Sequence, residues 1–274
     1  MIKSNIQISI ITLVKNDYLK FSKTLKSLKS QIKDFSIEWV VVDGSSNNEF
    51  KSNKELINKN FPKEKKNFIN HINTFRINME GIYTCMNYGK KISKGKFIIF
   101  LNSGDTFFNN YSLSILFEKT LKANMRNSVI FGQAKIIADK NIYWYFPGKR
   151  LKNISKWLNY FEPNHQSMLV SNTLANKYEF PTNKNIIGDG YWKRKILNKS
   201  SEVIFIKEPV VNFFLDGVSS SKPSIYRLKS ILRNKDISFL RKFIFFIKYL
   251  FPSKFYFLYN LMQKYKSILI DFLI

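Results

Sequence analysis

At 274 residues with 45% hydrophobic content, the chain is long enough to bury a sizeable core without covalent staples. Cys85 is the single cysteine, which excludes an intrachain disulfide, and no Cys/His cluster offers a structural zinc site, so a reducing cytosolic compartment fits best. A formal charge of +26 draws such a chain to an anionic bilayer or to nucleic acid, although abundant Lys, Asn, Ile and Phe are also what an AT-rich coding sequence yields without any partner.

Met1 to Asn5 run straight into a strand pattern, without the apolar core and cleavage site of a signal peptide, so export is not expected. Residues 7 to 14 read as an apolar strand. Leu19, Phe21, Leu25 and Leu28 recur at helical spacing over 18 to 31, and Glu38 to Val42 make a second buried strand. This order predicts a parallel α/β unit with a right-handed crossover. Residues 46 to 66, rich in Asn and Lys, predict a helix and a surface loop with core positions only around Leu56-Ile57 and Phe61.

Glu80 to Lys94 predict a helix running into Gly95, and Lys96 to Leu101 a strand buried on both faces that ends on Asn102-Ser103-Gly104-Asp105. Ligands of open α/β sheets collect beyond the carboxyl ends of such strands, which is where Asp105 falls. Residues 111 to 122 predict a helix with Leu113, Leu116, Phe117 and Leu121 on one face. Val129 to Ala138 and Ile142 to Phe146 look like a strand pair. Pro163 to Val170 and Ile186 to Leu197 would supply a strand and the start of a helix.

After Pro223 the character changes. From Lys222 to Ile274 there are eleven Lys or Arg against two Asp, interleaved with Phe, Tyr, Leu and Ile. Arg241, Lys242, Lys248 and Pro252 leave no window of the roughly 18 to 20 apolar residues that a spanning helix needs. One or two amphipathic helices in a membrane interface are expected; the alternative is a helix packed on the domain or on a second subunit, as in a homodimer.

Residues 81 to 105 carry a glycine, Ile82-Tyr83, Met86-Asn87-Tyr88-Gly89, then the apolar strand closing on Asn102-Ser103-Gly104-Asp105. That pattern resembles family 2 inverting glycosyltransferases with the GT-A fold, in the branch that builds bacterial surface polysaccharides such as O-antigen. The resemblance extends to Ile8 to Thr12, Asn16, Gln31 and Glu38 to Ser46 on one side. On the other it takes in His165-Gln166-Ser167-Met168, Gly188 to Trp192 and Asn212 to Ser219, covering about residues 6 to 220. It implies an α/β fold, a mostly parallel sheet flanked by helices. The donor half would be residues 1–105, the acceptor half 106–221, and the basic helical tail 222–274.

The resemblance also implies roles. Asp43, at the end of a buried strand and before Gly44 and Ser45, is placed to contact the base or ribose of a UDP-sugar, the alternative being that it caps the next helix. Thr12 and Asn16 would line the same pocket, joined by Glu80, Asn87, Ser103 and Gly104. Asp105 would hold Mn²⁺ or Mg²⁺ with the substrate phosphates, here without the family's usual first acidic residue. Asp189 matches the family's general base, or else caps a helix. His165 lies near the metal or in the core, and Tyr191 and Trp192 stack on an acceptor sugar or fill core. Thr84 stands where the family commonly has Asp.

The expected reaction moves a hexose or N-acetylhexosamine from a UDP-sugar to a polyprenyl-diphosphate-linked glycan at the cytoplasmic face of the membrane. Competing readings are a noncatalytic membrane scaffold of the same fold and a nucleic-acid binder. The second is disfavoured because no RNP, KH or zinc-finger signature occurs. Neither GxGxxG nor a Walker A sequence is present, which removes dinucleotide and P-loop chemistry.

Overall fold

The computed structural model describes residues 6–62, 71–78, 81–184, 188–215, 225–233, 238–250 and 254–273. The first crossover unit is β1 (Ile8–Val14), α1 (Tyr18–Lys29) and β2 (Ile37–Asp43), followed by α2 (Asn47–Asn60) and β3 (His71–Arg76). Then come α3 (Ile82–Ile92) and β4 (Phe97–Phe100). These four strands are all parallel, in the order β3-β2-β1-β4. Every residue of β2 and β4 is buried, which accounts for their unbroken apolar runs.

Beyond β4 the sheet becomes mixed. β5 (Thr106–Phe107), α4 (Ser112–Thr120), β6 (Ser128–Ile137), β7 (Tyr143–Phe146) and α5 (Ile154–Leu158) lead to β8 (Met168–Ser171) and α6 (Asn172–Lys177). α7 (Gly188–Lys199) and β9 (Glu202–Phe214) follow. The sheet continues β4-β8-β6-β9-β5, with β7 also on β6. β8 runs antiparallel to β4, and β9 runs parallel to β6. The expected parallel sheet therefore holds through the N-terminal strands, and the later strands insert antiparallel pairs.

Core packing explains where sequence periodicity is obeyed. Phe21, Leu25 and Leu28 of α1 are buried, but Leu19, expected on the same face, is 75% exposed. Likewise Leu113 and Leu116 of α4 are buried whereas Leu121, past the helix end, faces solvent. Trp39 stacks on Phe21 at 5.7 Å and meets Phe61 edge-on at 5.8 Å. Burying each such aromatic contributes roughly 2–3 kcal/mol.

At the amino ends of the strands, Glu38 is buried but fully bonded. Its carboxylate accepts from Ser9 Oγ at 2.6 Å, and from Asn73 Nδ2 and the Lys94 N–H at 2.8 Å each. That end of the sheet is closed by internal bonds. The carboxyl ends, where the loops 14–17, 43–46 and 101–105 gather, carry the chemistry.

The C-terminal segment holds three helices among the described residues, α8 (Ile225–Arg233), α9 (Phe239–Leu250) and α10 (Lys254–Leu273), rather than one or two. Among the described residues no helix is long and apolar enough to cross a membrane. α10 lies along β7, and Ser267 Oγ donates to the Tyr145 carbonyl at 3.1 Å. It thus covers a strand edge that would otherwise present open backbone groups.

Candidate active site

β1 ends in a turn through Asn16, which takes φ 49°, a left-handed conformation that Asn tolerates better than most residues. Asn16 fastens this turn to the next one. Its N–H donates to Ser45 Oγ and its Oδ1 accepts from the Ser46 N–H, both at 2.8 Å. The Ser45 N–H in turn donates to Asp43 Oδ1, and Asn53 Nδ2 of α2 donates to Asp43 Oδ2, again at 2.8 Å each.

Asp43 is therefore fully buried, and both of its oxygens hold the β2–α2 connection. Asn16 is exposed at this edge, together with Lys15 and Ser46. Gly44 has room for a side chain, since the nearest atom to an added Cβ is the Val14 carbonyl oxygen at 3.9 Å. Thr12, expected to line the pocket, is instead internal. Its hydroxyl donates to the Leu101 carbonyl at 2.8 Å and accepts from Trp39 Nε1 at 2.9 Å.

β4 delivers Asn102 to Asp105 beside this edge, at the point where the chain order reverses between β1 and β4. Gly104 adopts φ 101°, which is open to glycine and strained for other residues. Asp105 is buried and rigidly held. Gln166 Nε2 donates to Oδ2 at 2.5 Å, and the Phe214 N–H at the end of β9 donates to Oδ1 at 2.8 Å. Gln166 also accepts from the Asn102 N–H at 2.9 Å, so one amide ties the strand end to its carboxylate.

His165 stands between this group and Asp189. Its Nε2 lies 3.4 Å from Asn102 Nδ2 and its Nδ1 lies 3.6 Å from Asp189 Oδ2. Both contacts are satisfied by the tautomer carrying its proton on Nδ1. Lys193, one turn along α7, approaches Asp189 Oδ2 to 3.5 Å, and the Tyr83 hydroxyl lies 3.4 Å from Oδ1. Burial pushes the Asp189 carboxyl up. The His165 hydrogen bond, the Lys193 charge and the Gly190 N–H outweigh it and hold the group well below the usual carboxylate range. Burial first, and then the Asp189 charge, pushes the Tyr83 hydroxyl above its ordinary value.

Aromatic packing fixes α7 against the sheet. Phe180 stacks on Trp192 at 4.4 Å and on Tyr83 at 5.9 Å, and Phe100 meets both Phe180 and Trp192 edge-on. Gly188 lets the start of α7 close on Tyr83, because an added Cβ would sit 2.6 Å from Tyr83 Cε2. Trp192 is thus a core residue, 1% exposed, with Nε1 on the Tyr178 carbonyl; Tyr191 is 44% exposed. Asn87 is also structural, its amide donating to and accepting from the Phe180 backbone at 2.9 and 2.8 Å.

Sequence reasoning placed Asp105, Asp189 and His165 together and left out the groups that hold them, Gln166, Lys193, Tyr83, Asn102 and the Phe214 N–H. The i, i+4 spacing of Asp189 and Lys193 was the available signal for one of these. Glu80 lies outside the described residues. No group of three His, Cys, Asp or Glu suited to a metal occurs among the described residues. The donor chemistry nonetheless fits a hard divalent ion completed by substrate phosphates. Asp105 offers a carboxylate, and the buried Asn102 Oδ1 and Ser103 Oγ have no hydrogen-bond partner.

Among solved structures, the fold is similar to residues 1–349 of S. aureus TarS in complex with UDP-GlcNAc. The TM-score is 0.60 at 17% identity, covering 89% of this chain and 72% of that one. The same fragment with UDP matches with a TM-score of 0.59, at 17% identity and 89% and 71% coverage. S. aureus TarS itself gives 0.58 at 16% identity, and this chain, 89% covered, spans 43% of that longer chain. At such identities the likeness establishes the fold. No curated protein sequence matches the chain. The model of glycosyl transferase family 2 matches residues 9–197, more than half the sequence and nearly all of the β1-to-α7 frame that carries Asp105 and Asp189, and the chain belongs to that family of glycosyltransferases.

Proposed function

We propose that this glycosyltransferase moves a hexose or N-acetylhexosamine, with inversion, from a UDP-sugar to a hydroxyl of a polyprenyl-diphosphate-linked glycan. The setting is cell-surface polysaccharide synthesis of the O-antigen type, at the cytoplasmic face of the membrane. The observation that carries the reading is the convergence of two carboxylates, Asp105 and Asp189, on one sheet edge, joined through Gln166, Asn102 and His165. The fold-mates described as TarS complexes with UDP and UDP-GlcNAc favour a uridine donor.

In this reading residues 1–105 receive the donor and residues 106–221 the acceptor. Asp43 shapes the base pocket by fixing the β2–α2 turn, and Asn16 presents the polar edge. Asp105, with Asn102, Ser103 and His165 beside it, would hold Mn²⁺ or Mg²⁺, which neutralises the departing nucleoside diphosphate. Asp189 is the general base. As the acceptor oxygen attacks the anomeric carbon from the face opposite the diphosphate, its proton passes to the Asp189 carboxylate while the bond to the diphosphate breaks. Lys193 and His165 keep that carboxylate ionised and aimed, and Tyr191 offers an exposed ring to the acceptor sugar.

Calorimetry with UDP-glucose, UDP-galactose and their N-acetylamino forms, with and without Mn²⁺, tests the donor site. Metal-dependent binding of one donor, weakened about tenfold or more in Asp105→Ala, is expected. A folded protein that binds no UDP-sugar overturns the donor assignment.

A further inference from the structure

α10 is built inside out. On a helix packed against a globular domain the apolar stripe faces the core. Here Asn260 and Ser267, seven residues apart, are buried at 4% and 7%, with Ser267 bonded to the β7 backbone. The opposite face carries Leu258, Met262, Tyr265, Leu269 and Leu273 at spacings of four, three, four and four, all between 53% and 68% exposed.

α9 repeats the pattern. Phe239, Phe243, Phe246 and Leu250 recur at four, three and four, and all are exposed, Phe239 at 83%. Two consecutive helices thus each present an apolar stripe that the domain does not cover, surface of the kind that marks a contact. Cations accompany both stripes. Lys242, three residues from Phe239 and four from Phe246, borders the stripe of α9 and is partly exposed, and the exposed Lys266, four residues from Met262, borders that of α10, in a segment with eleven Lys or Arg against two Asp on a chain of charge +26.

We infer that α9 and α10 together form a membrane-docking face, with the stripes seated at the acyl boundary of a bilayer and Lys242 and Lys266 on anionic headgroups. Charge selects this occupant over a second copy. A two-fold contact through the same patch would bring the cationic surroundings of one copy against those of the other, whereas anionic lipid complements them. The inference deepens the membrane side of the proposed function and is independent of the donor assignment. It also departs from a detachable tail, since the polar side of α10 seals the edge of β7, whose partner β6 pairs with β9, the strand that supplies the Phe214 N–H to Asp105.

Flotation of the full chain with vesicles of phosphatidylcholine, alone or with phosphatidylglycerol, tests it. The wild type is expected to float with the anionic vesicles and to be released by salt. Met262→Glu/Leu269→Glu should abolish flotation, and Lys242→Glu/Lys266→Glu, which keeps the stripes, should weaken it by roughly tenfold or more. Both variants alter exposed or partly exposed side chains, and circular dichroism with UDP-sugar calorimetry verifies that fold and donor site persist. Absence of flotation by the folded wild type, flotation unchanged in both variants, or a concentration-dependent dimer dissolved by Met262→Glu/Leu269→Glu overturns the inference.

Discussion

Asp189, partly exposed, and Lys90, buried, are two charges with opposite fates. Asp189→Asn preserves shape and removes the proton acceptor. Turnover should fall by about 10²- to 10⁴-fold while calorimetric affinity for the donor stays within a few fold. Because Asp189 is held below its ordinary range, it stays ionised until the solution is strongly acid. Its stabilising contacts are complete above the unfolded carboxyl value and are lost only as pH falls through the lower folded value. Lys193→Met takes away one of the charges that depress it, so the acid limb of the pH–rate profile should move to higher pH. An unmoved limb would assign that limb to another group. Lys90 on α3 is 2% exposed and donates to the Ala175 and Tyr178 carbonyls at 2.9 and 2.6 Å. Burial pulls it down to about 8, against the opposing charge of Glu179. The unfolded chain therefore holds more protons between pH 8 and the ordinary lysine value, and stability contributed by this residue rises with pH across that window. Lys90→Met should lower the melting temperature, by leaving the buried Ala175 carbonyl unpaired at a cost of about 1–3 kcal/mol while Trp192 Nε1 still serves the Tyr178 carbonyl, and should abolish that rise. Thermal melts from neutral to alkaline pH check both.

Elements meet most closely where β4 begins. A Cβ on Gly95 would lie 2.5 Å from the Ser9 N and 2.8 Å from the Ile8 carbonyl carbon, both backbone atoms of β1. Gly95→Ala should consequently destabilise the fold by about 1–3 kcal/mol or more, read as a shifted urea midpoint. Gly44→Ala, with open space around it, should be near neutral in the same measurement. The same elements show what sequence makes legible. β1, β2 and β4 are almost entirely buried and mostly apolar, so their runs announce them. β3, written His-Ile-Asn-Thr-Phe-Arg, lies at the sheet edge and alternates too weakly to stand out. β9 hides because Lys207-Glu208-Pro209 interrupts it. The strand absorbs this break with a register shift against β6 between Gly132 and Ala134, where a proline is tolerated. At the site, carboxylates at strand and helix ends were readable from position. Thr12, Asn87 and Trp192 were not, because a polar or aromatic side chain looks alike in sequence whether it faces a ligand or bonds the backbone behind it. Nor does any local pattern announce that Gln166 and the Phe214 N–H converge on Asp105.

At the scale of the molecule, a charge of +26 works against compactness through self-repulsion. Adding sodium chloride should therefore raise the melting temperature, by about 2–4 °C for each kcal/mol of repulsion screened, and a melting temperature indifferent to salt would show that local ion pairs already balance the field. The distance in sequence spanned by the hold on Asp105 has a further consequence, in time. The parallel strands β1 to β4 come from the first hundred residues, so a nascent chain can assemble its donor edge early. Asp105 must then wait for partners 61 and 109 residues downstream, the second of them supplied by the last strand of the sheet. During synthesis the hold on the carboxylate stays incomplete until β9 closes, so the enzyme acquires its shape before its competence. Ribosome-released fragments ending before residue 202 should keep much of the parallel sheet and show no transferase activity.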